Sequence, residues 1–533
     1  MIPTLAKILS QISDEDKTPL VLQLLEVLQL QNETIQGLKD EIARLKGEKP
    51  KPDIKPSKLE KPITKDGPGL LAASEKRPGS AKKEKTKLLE IHREEIICPV
   101  FIPEGAKFKG YQDYVVQDIV IKTHNIRYRL ERWECPDGKS VVGKLPAELQ
   151  GSHFGVDLTR FILYQYYQAY VTQPLILEEL LEIGVDISAG QLNRILIENK
   201  EIFHTEKEEI LKVGLEVSKY INVDDTGARH NGKNGYCTHI GNEMFAFFES
   251  TESKSRINFL QILRAGRNDY IITPEALGYM KQQNLPLSEI KKFASLLNSV
   301  FPSEASWQDQ LSKFGITNKR HVHILTEGVL MGSVLEHGFN PNMIIISDDA
   351  GQFNIFLHGL CWMHAERTIN KLVGFNEEQI AALNQKRDEI WQFYDDLKKY
   401  KKNPDISEKK RLKEVFKKIF TEKTCFASLN QALGRIFKNV DELLLVLTYP
   451  EIPLHNNLSE NDIREYVKRR KISGSTRSSP GRRCRDTFTS LKKTCRKLGI
   501  SFWDYLKNRL VDKGGGVPYL PSLIRIQACG AER

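Results

Sequence analysis

The sequence predicts a multidomain chain built around an α/β core, and three observations support this class. Two β-branched stretches, residues 219–227 and 342–351, each end in an aspartate doublet, and long helical patterns surround both. The N-terminal residues follow a heptad pattern. At roughly 150 residues per domain, 533 residues are expected to form three or four domains.

The N-terminal residues 1–46 are predicted to form a coiled coil. Apolar positions step by three and four residues along a seam with one polar member, formed by Val21, Leu24, Leu28, Gln31, Ile35, Leu38, Ile42 and Leu45. This pattern predicts a homo-oligomer that associates through residues 20–46. The alternative is a single amphipathic helix docked on its own domain, because Gly37 weakens the helix.

The next two segments differ sharply in composition. Residues 47–88 are rich in Lys, Pro and Gly, which is typical of a disordered basic linker. Residues 89–146 are predicted to form a small β-rich module with strands over 114–121 and 126–134.

Residues 147–215 have a helical pattern that resembles a helix-turn-helix DNA-binding region. Gly184 is expected to end one helix and Ser188 to cap the next, which places Gln191, Asn193 and Arg194 near its start as candidate DNA contacts. An ordinary helical hairpin fits the same pattern. Residues 216–512 follow as the α/β core, with 513–533 as a C-terminal tail.

Composition narrows the class of protein further. The eight cysteines are scattered and form no CxxC pair, which argues against a disulfide scaffold. We find no signal peptide pattern and no apolar run of about 18 residues, so a soluble, cytoplasmic protein without a membrane segment is expected. Basic residues concentrate between Arg464 and Lys497, a pattern that suits either polyphosphate binding or a solvated basic helix.

The aspartate doublets are the strongest candidates for a functional site. Parallel neighbouring strands bring their carboxyl ends side by side, and an aspartate there is well placed to bind a metal ion. Adjacent side chains of a strand point to opposite faces, so one member of each doublet can face a shared site. Either doublet alone could equally be a set of turn residues.

Glu460 is predicted to open a helix that also carries cations. On a 3.6-residue period Arg464, Lys468 and Lys471 share its face, so one helix presents a carboxylate beside a row of positive charges. Pairing of Glu460 with Arg464 on a solvated face is the alternative. Three carboxylates would suit two Mg²⁺ ions about 4 Å apart, which activate the attacking oxygen and stabilise the leaving oxygen at a phosphodiester.

Several motifs together resemble the transposases of insertion-sequence family sixty-six, within the DDE superfamily. VDDTGARHNGKNG resembles the first-aspartate motif of that family, and IISDDAGQFNIF with LCWMHAERTINKL resembles the second-aspartate segment. NNLSENDIR is similar to the glutamate motif, and the segments RRKISGSTRS and TCRKLGISFWDYL continue the C-terminal pattern. The resemblance covers most of the chain in order.

The resemblance implies a ribonuclease-H-like catalytic core and selects its acids. Asp224, Asp348 and Glu460 are implied as catalytic residues and metal ligands for two Mg²⁺ ions, with Mn²⁺ as a substitute. Cys361 and His364 belong to a signature segment, and we expect them to support the site by packing and orientation. The candidate phosphate contacts are Arg464, Lys468, Arg469, Arg470, Lys471, Arg482 and Arg483.

The implied activity is cleavage at the terminal inverted repeats of an insertion sequence, followed by joining of the 3′ ends to target DNA. The expected partners are therefore element-end and target DNA, in a bacterial cytoplasm and in association with the nucleoid. The alternatives are a non-joining nuclease on the same core, a catalytically inactive DNA-binding protein derived from a transposase, and a scaffold that works through its coiled coil.

The chain departs from the family pattern in three ways. A zinc-finger-like module with paired CxxC motifs is expected ahead of the core, but Cys98 and Cys135 each lack a partner cysteine, so we predict no zinc. Asp225 stands where glutamate is usual. The aspartates are also unusually far apart in sequence, which indicates an insertion near 265–325, and a second helical insertion is predicted near 366–450.

Overall fold

The computed structural model describes residues 12, 18–45, 91–146, 149, 153–340, 342–511 and 516–530. The chain divides into two compact units, one formed by Met1–Pro52 with Thr123–Arg533 and the other by Asp53–Lys122. The predicted linker, residues 47–88, lies outside the described residues.

The described part of the smaller unit, residues 91–122, contains no helix or strand. The prediction of a strand over residues 114–121 is therefore wrong. Of the strand predicted over 126–134, in the larger unit, only Arg132–Glu134 forms (β1), paired antiparallel with Ser140–Val142 (β2). An alternating apolar pattern forms a strand only when a neighbouring strand receives its hydrogen bonds.

The larger unit is mostly helical around one mixed sheet. Its helices up to the sheet are α1 (Pro19–Leu45), α2 (Val156–Leu163), α3 (Gln173–Glu182), α4 (Ala189–Ile197) and α5 (Glu201–Val217). The helices between the central strands are α6 (Arg256–Leu263), α7 (Pro274–Gln282), α8 (Leu287–Ala294), α9 (Glu304–Lys313) and α10 (Lys319–Glu336). The helices after the sheet are α11 (Trp362–Asn370), α12 (Glu377–Lys402), α13 (Ile406–Thr421), α14 (Ala427–Phe437), α15 (Val440–Leu443), α16 (Asn457–Ser473), α17 (Ser479–Lys497), α18 (Phe502–Val511) and α19 (Leu520–Gly530).

The central sheet has five strands in the order β5-β4-β3-β8-β9. They are β3 (Tyr220–Gly227), β4 (Tyr236–Gly241), β5 (Ala246–Thr251), β8 (Ile344–Ser347) and β9 (Leu357–Leu360). Strand β4 pairs antiparallel with both β3 and β5, whereas β8 pairs parallel with both β3 and β9. This order and these directions are compatible with a ribonuclease-H-like core.

Both segments predicted as insertions contain helices. Residues 265–325 hold α7, α8, α9 and the antiparallel pair of β6 (Tyr270–Ile271) with β7 (Val300–Phe301), packed around the fully buried Trp307. Helices α12 to α15 enclose a second apolar core beneath β8 and β9. Helices thus cover the sheet. The sequence pattern predicted that these segments are helical but not how the helices are arranged.

Helix α1 forms where the heptads predict a helix, and one face of it packs against the rest of the larger unit. Leu25 and Gln29 are buried, and the Gln29 side chain both donates to the Val373 carbonyl (3.1 Å) and accepts from the Val373 amide (3.2 Å). Glu33 pairs with Arg435 of α14 at 2.5 Å. The face that docks is therefore not the predicted seam.

The C-terminal residues contradict the prediction of a tail. Helix α19 packs on α5, and its Leu520 and Ile524 are fully buried. Glu206 of α5, also buried, accepts hydrogen bonds from the Leu520 amide (3.0 Å) and the Arg509 guanidinium (2.8 Å). A buried charge of this kind is stable only when paired, so these contacts fix the C-terminal helices to the core.

No helix in the described part of the chain is long and apolar enough to cross a membrane.

Candidate active site

The register of two neighbouring strands brings Asp224 and Asp348 together. In the parallel ladder of β3 and β8, the last paired residues are Asn222 and Ile346. Asp224, within β3, and Asp348, directly after β8, each lie two residues beyond this last pair. Two carboxylates from distant parts of the sequence therefore emerge at one edge of the sheet, as the carboxyl ends of parallel strands do.

The surroundings of Asp224 strongly disfavour the ionised form of its carboxyl group. Burial is the largest cause that raises the pKa of Asp224, and the neighbouring charge on Asp348 raises this pKa further. Asp225 and Glu460 act in the same direction, while the Asp225 amide, which donates to Asp224 Oδ1 at 2.7 Å, lowers the pKa. Asp348 and Glu460 thus both lie within electrostatic reach of Asp224.

Asp225, the next residue of β3, has its own hydrogen-bond partners. Its carboxylate accepts from the Thr238 hydroxyl at 2.6 Å and from the Gln352 amide at 2.7 Å. Burial raises the pKa of Asp225, and these two hydrogen bonds oppose the rise. Asp225 therefore braces the strand, while Asp224 faces Asp348.

The loop that carries Asp348 is held from two sides. The Ala350 amide donates to Asp348 Oδ1 at 3.2 Å. The Arg256 guanidinium, at the start of α6, donates to the Gly351 carbonyl at 2.7 Å and to the Tyr279 hydroxyl at 2.8 Å. Since Tyr279 lies on α7, the first insertion is connected to the loop of the second aspartate.

Glu460 lies in the first turn of α16, half-buried, next to two groups of α11. Its Oε1 atom lies 3.6 Å from the Arg367 guanidinium and 3.8 Å from His364 Nε2. At these distances Oε1 has no hydrogen-bond partner, although it is buried from solvent. A buried carboxylate oxygen without a hydrogen-bond donor costs free energy. A cation or a donor that binds this atom would remove that cost.

Cys361 and His364 lie beside the acids, one helical turn apart. Cys361 is buried, and burial raises the pKa of its thiol to about 11. Burial lowers the pKa of His364, while the charges on Asp348 and Glu460 oppose that effect. A neutral, buried thiol suits packing and orientation better than metal binding.

Among the described residues, no group of three or more His, Cys, Asp or Glu side chains is gathered tightly enough to hold a metal ion as it stands. Asp348 and Glu460 thus lie close enough to Asp224 to raise its pKa, but the three acids do not form a closed set of ligands.

A second charged cluster lies behind the glutamate helix. Asp462 is buried and pairs with Lys497 (2.8 Å), Lys493 (2.9 Å) and His239 Nε2 (3.2 Å). The other His239 ring nitrogen lies 2.5 Å from the Ser459 hydroxyl, next to Glu460 in sequence. This cluster ties α16 to β4 and α17 and so fixes the helix that carries Glu460.

The predicted phosphate contacts of α16 divide into exposed and buried residues. Arg464, Lys468 and Lys471 are exposed on the helix, with Arg464 donating to Asn461 at 2.8 Å and Lys468 3.4 Å from Glu465. Arg469 is only 3% exposed; its guanidinium donates to the Tyr166 carbonyl at 2.6 Å and lies over the Tyr166 ring. The phosphate contact predicted for Arg469 is therefore corrected to a structural role.

Three further basic residues lie near the start of α17 and the end of β3. Arg470 is half-buried and donates to the Gly227 carbonyl and, at 3.4 Å, to the Thr226 hydroxyl, so it braces β3. Arg483 is exposed and pairs with Glu201 at 3.2 Å, and Arg482 is half-buried.

The segment predicted as a helix-turn-helix has the expected helix boundaries. Gly184, with φ of 84°, follows α3, and Ser188 caps α4 in a reciprocal capping box with Gln191. Asn193 accepts a hydrogen bond from Gln173 at 3.3 Å, whereas Arg194 is exposed. The capping box therefore uses the Gln191 side chain. Of Gln191, Asn193 and Arg194, Arg194 is the residue that is exposed to solvent.

Sequence reasoning missed several groups that surround the acids. Arg256 and His239 lie outside the quoted motifs, whereas Asn456 is the first residue of NNLSENDIR but was given no role of its own. The HNN segment before Glu460 was a visible signal for Asn456, because an asparagine before a helix is a common N-terminal cap. For Arg256 and His239 the local pattern contains no comparable signal.

Comparison with known proteins gives two findings. The family described as "Transposase IS66 family" matches residues 317–483, which contain Asp348 and Glu460 but not Asp224. The chain is also 40% identical over 321 residues to the uncharacterized protein y4jO of Sinorhizobium fredii (strain NBRC 101917 / NGR234), covering 60% of this chain and 100% of that protein.

The chain therefore belongs to the IS66 family of transposases. Transposases are enzymes that act on DNA, so the chain belongs to a family of DNA-acting enzymes.

The Asp462 cluster predicts a pH-dependent stability. Burial would raise the pKa of Asp462, but His239, Lys497 and Lys493 outweigh burial and hold this pKa well below its usual range. The cluster thus stabilises the fold above the ordinary aspartate pKa of about 3.9, and this contribution is lost as pH falls below that value. We expect Asp462→Asn to lower the free energy of unfolding by about 3–5 kcal/mol at neutral pH.

Denaturation of the wild type and of Asp462→Asn between pH 7 and 3 measures this effect. The difference between wild type and Asp462→Asn should shrink as the pH falls below about 4. Asp388→Asn, an exposed aspartate of α12, is the matched control and should have little effect. A difference that is constant over the whole pH range would contradict the assigned pairing.

Proposed function

We propose that this IS66-family transposase cleaves DNA at the ends of its element and joins the 3′ ends to target DNA, with Asp224, Asp348 and Glu460 holding two Mg²⁺ ions. The observation that supports the proposal is the environment of Asp224, whose pKa is raised first by burial and then by the nearby charges of Asp348 and Glu460. Carboxylates that destabilise one another in this way are stabilised by divalent cations.

The residues present fit such a pair of ions. Carboxylate oxygens are the hard ligands that Mg²⁺ prefers, and Mn²⁺ can take the same ligands. Glu460 Oε1 is buried without a hydrogen-bond donor, so it can accept a cation without breaking a bond. Because like charges repel, we expect the three carboxylates to draw together only when cations are bound.

When bound, the two ions would activate an attacking oxygen and stabilise the leaving oxygen of a phosphodiester. The protein's own contribution is to hold Asp224 and Asp348 at adjacent strand ends and Glu460 opposite them on α16. Arg367 and His364 place positive or polar groups beside Glu460, where the phosphate of the substrate would lie. First water and then the 3′ hydroxyl would be the attacking groups, without a covalent bond to the protein.

The exposed cations of α16 are proposed to hold the DNA backbone next to the acids. Arg464, Lys468 and Lys471 follow Glu460 along the same helix, so a strand bound along them would lead into the acid group. Phosphate contacts carry no sequence information, and recognition of the terminal repeats is proposed to come from the α3–α4 segment, with Arg194 on its surface. The proposed place of DNA binding in the cell is the bacterial nucleoid.

Self-association is proposed to use the free face of α1. The predicted seam residues Leu24, Leu28, Ile35, Leu38 and Ile42 are between 48% and 58% exposed, whereas the opposite face docks on the larger unit. Apolar residues at heptad spacing along one exposed face are suited to a second copy of the same helix. Docking and pairing thus use two different faces of α1.

Substitution of the acids tests the proposed chemistry. Asp224→Asn, Asp348→Asn and Glu460→Gln each keep side-chain size but remove a charged ligand, so each should reduce cleavage and strand transfer by about 1,000-fold or more while binding to element-end DNA persists. A gel assay of cleavage, joining and binding measures all three. Asp225→Glu, which keeps the charge outside the acid group, is the control and should retain most activity; full cleavage by Asp224→Asn would overturn the assignment.

Salt titration tests the DNA-binding face. Lys468→Ala should weaken binding of unrelated DNA sequences about equally and reduce the slope of log affinity against log salt by about 1, because one phosphate contact is lost. Arg464→Ala should behave in the same way. Lys398→Ala, on the outer helix α12, is the control and should leave the slope unchanged; equal effects of all three substitutions would contradict this interface.

Introduction of charge on the exposed seam of α1 tests self-association. Leu28→Glu with Ile35→Glu places two charges on the exposed seam, which should dissociate the oligomer, as measured by sedimentation. Leu175→Glu, at an exposed apolar position of α3, is the control and should sediment as wild type does. A wild-type protein that is monomeric at micromolar concentration would disprove the proposed pairing.

A further inference from the structure

Asn456 occupies the position immediately before α16 and is only 1% exposed. Its carbonyl accepts the hydrogen bond from the Glu460 amide at 3.1 Å, which closes the first turn of the helix. The position of Glu460 along the helix axis is therefore set by where Asn456 is held.

The side chain of Asn456 is bound to β3 beside the first aspartate. Its Nδ2 donates to the Val223 carbonyl at 2.8 Å, and its Oδ1 accepts from Asn222 Nδ2 at 2.8 Å. Val223 directly precedes Asp224. The amide thus uses both its donor and its acceptor on the strand that carries Asp224, an arrangement that only an asparagine-like side chain satisfies at this size.

The main chain of Asn456 connects to the second aspartate through Cys361. The Asn456 amide donates to Cys361 Sγ at 3.2 Å, and the Cys361 amide donates to the Ser347 carbonyl at 3.0 Å. Ser347 directly precedes Asp348. One buried residue is thus connected by hydrogen bonds to the residue before each aspartate and to the turn that carries the glutamate.

We infer that Asn456 is a positioning residue that sets the spacing of Asp224, Asp348 and Glu460, with Cys361 as the intermediate to Asp348. The inference rests on the proposed function, since it assigns Asn456 to the same metal-binding acids. Asn456 itself does not touch the substrate. Its effect is on the geometry of the ligands, and groups that orient ligands in this way typically change metal affinity or activity by about 10- to 100-fold when replaced.

The test compares Mn²⁺ binding, measured by calorimetry on the full-length protein without DNA, with cleavage kinetics. Asn456→Asp keeps the shape and the acceptor but cannot donate to the Val223 carbonyl and places a carboxylate oxygen against it. We expect Mn²⁺ affinity about 10- to 100-fold weaker and a comparable loss of kcat, with KM for element-end DNA unchanged. Asn457→Asp, the exposed neighbour on α16, is the matched control and should bind Mn²⁺ as wild type does.

Cys361→Ala provides a second variant that changes little volume. It removes the acceptor of the Asn456 amide and keeps the backbone bond to Ser347, so a smaller loss of Mn²⁺ affinity in the same direction is expected. Thermal unfolding of each variant separates loss of fold from loss of geometry. If Asn456→Asp lowers the unfolding temperature while Mn²⁺ affinity and kcat stay at wild-type values, Asn456 is merely structural and the inference is overturned.

Asp224→Asn serves as the reference that separates the two proposals. Loss of Mn²⁺ binding in Asp224→Asn together with wild-type binding in both Asn456→Asp and Cys361→Ala would reject the positioning role alone. Wild-type Mn²⁺ binding in Asp224→Asn would instead reject the proposed metal site, and the positioning role with it.

Discussion

Parallel pairing of β3 with β8 is the constraint on which the rest of the site depends. The ladder joins residues that are more than a hundred positions apart in the chain, and its register places Asp224 beside Asp348. Burial and the nearby charge on Asp348 both disfavour ionisation of Asp224. The surrounding structure must therefore hold the two carboxylates in place against their repulsion, and the fold does so through hydrogen bonds to the neighbouring residues of each strand.

The helix that carries Glu460 is fixed on several sides by groups of different kinds. Its first turn is held by the buried amide of Asn456, and the adjacent turn by the Asp462 cluster with its two lysines. Farther along, Arg469 is stacked on Tyr166 and hydrogen-bonded to its carbonyl. The proposed metal site would require rigid support of this kind, because a catalytic group displaced by about 1 Å can lose a large part of its effect.

The sequence was sufficient to predict the features that depend on local pattern. The strand that contains Asp224, the strand that ends just before Asp348, the helix that begins near Glu460, and the boundary formed by Gly184 and Ser188 all follow from residues within a few positions of each other. Family membership likewise followed from motifs that are local in the chain.

What the sequence could not predict depends on contacts between distant segments. The heptads predicted a helix, but which face of α1 docks is decided by Val373 and Arg435, far along the chain. Arg469 was grouped with its basic neighbours, yet packing against Tyr166 buries it. The pattern at 114–121 favoured a strand, but the described residues 91–122 offer it no strand to pair with.

The central claim is that the three acids form one site for two divalent cations. The most direct measurement is an anomalous-scattering map of the full-length protein crystallised with element-end DNA and Mn²⁺. The account predicts two manganese peaks enclosed by Asp224, Asp348 and Glu460, next to the phosphate at the cleavage position. Manganese bound elsewhere, or a structure in which one of these carboxylates contacts neither ion, would contradict it.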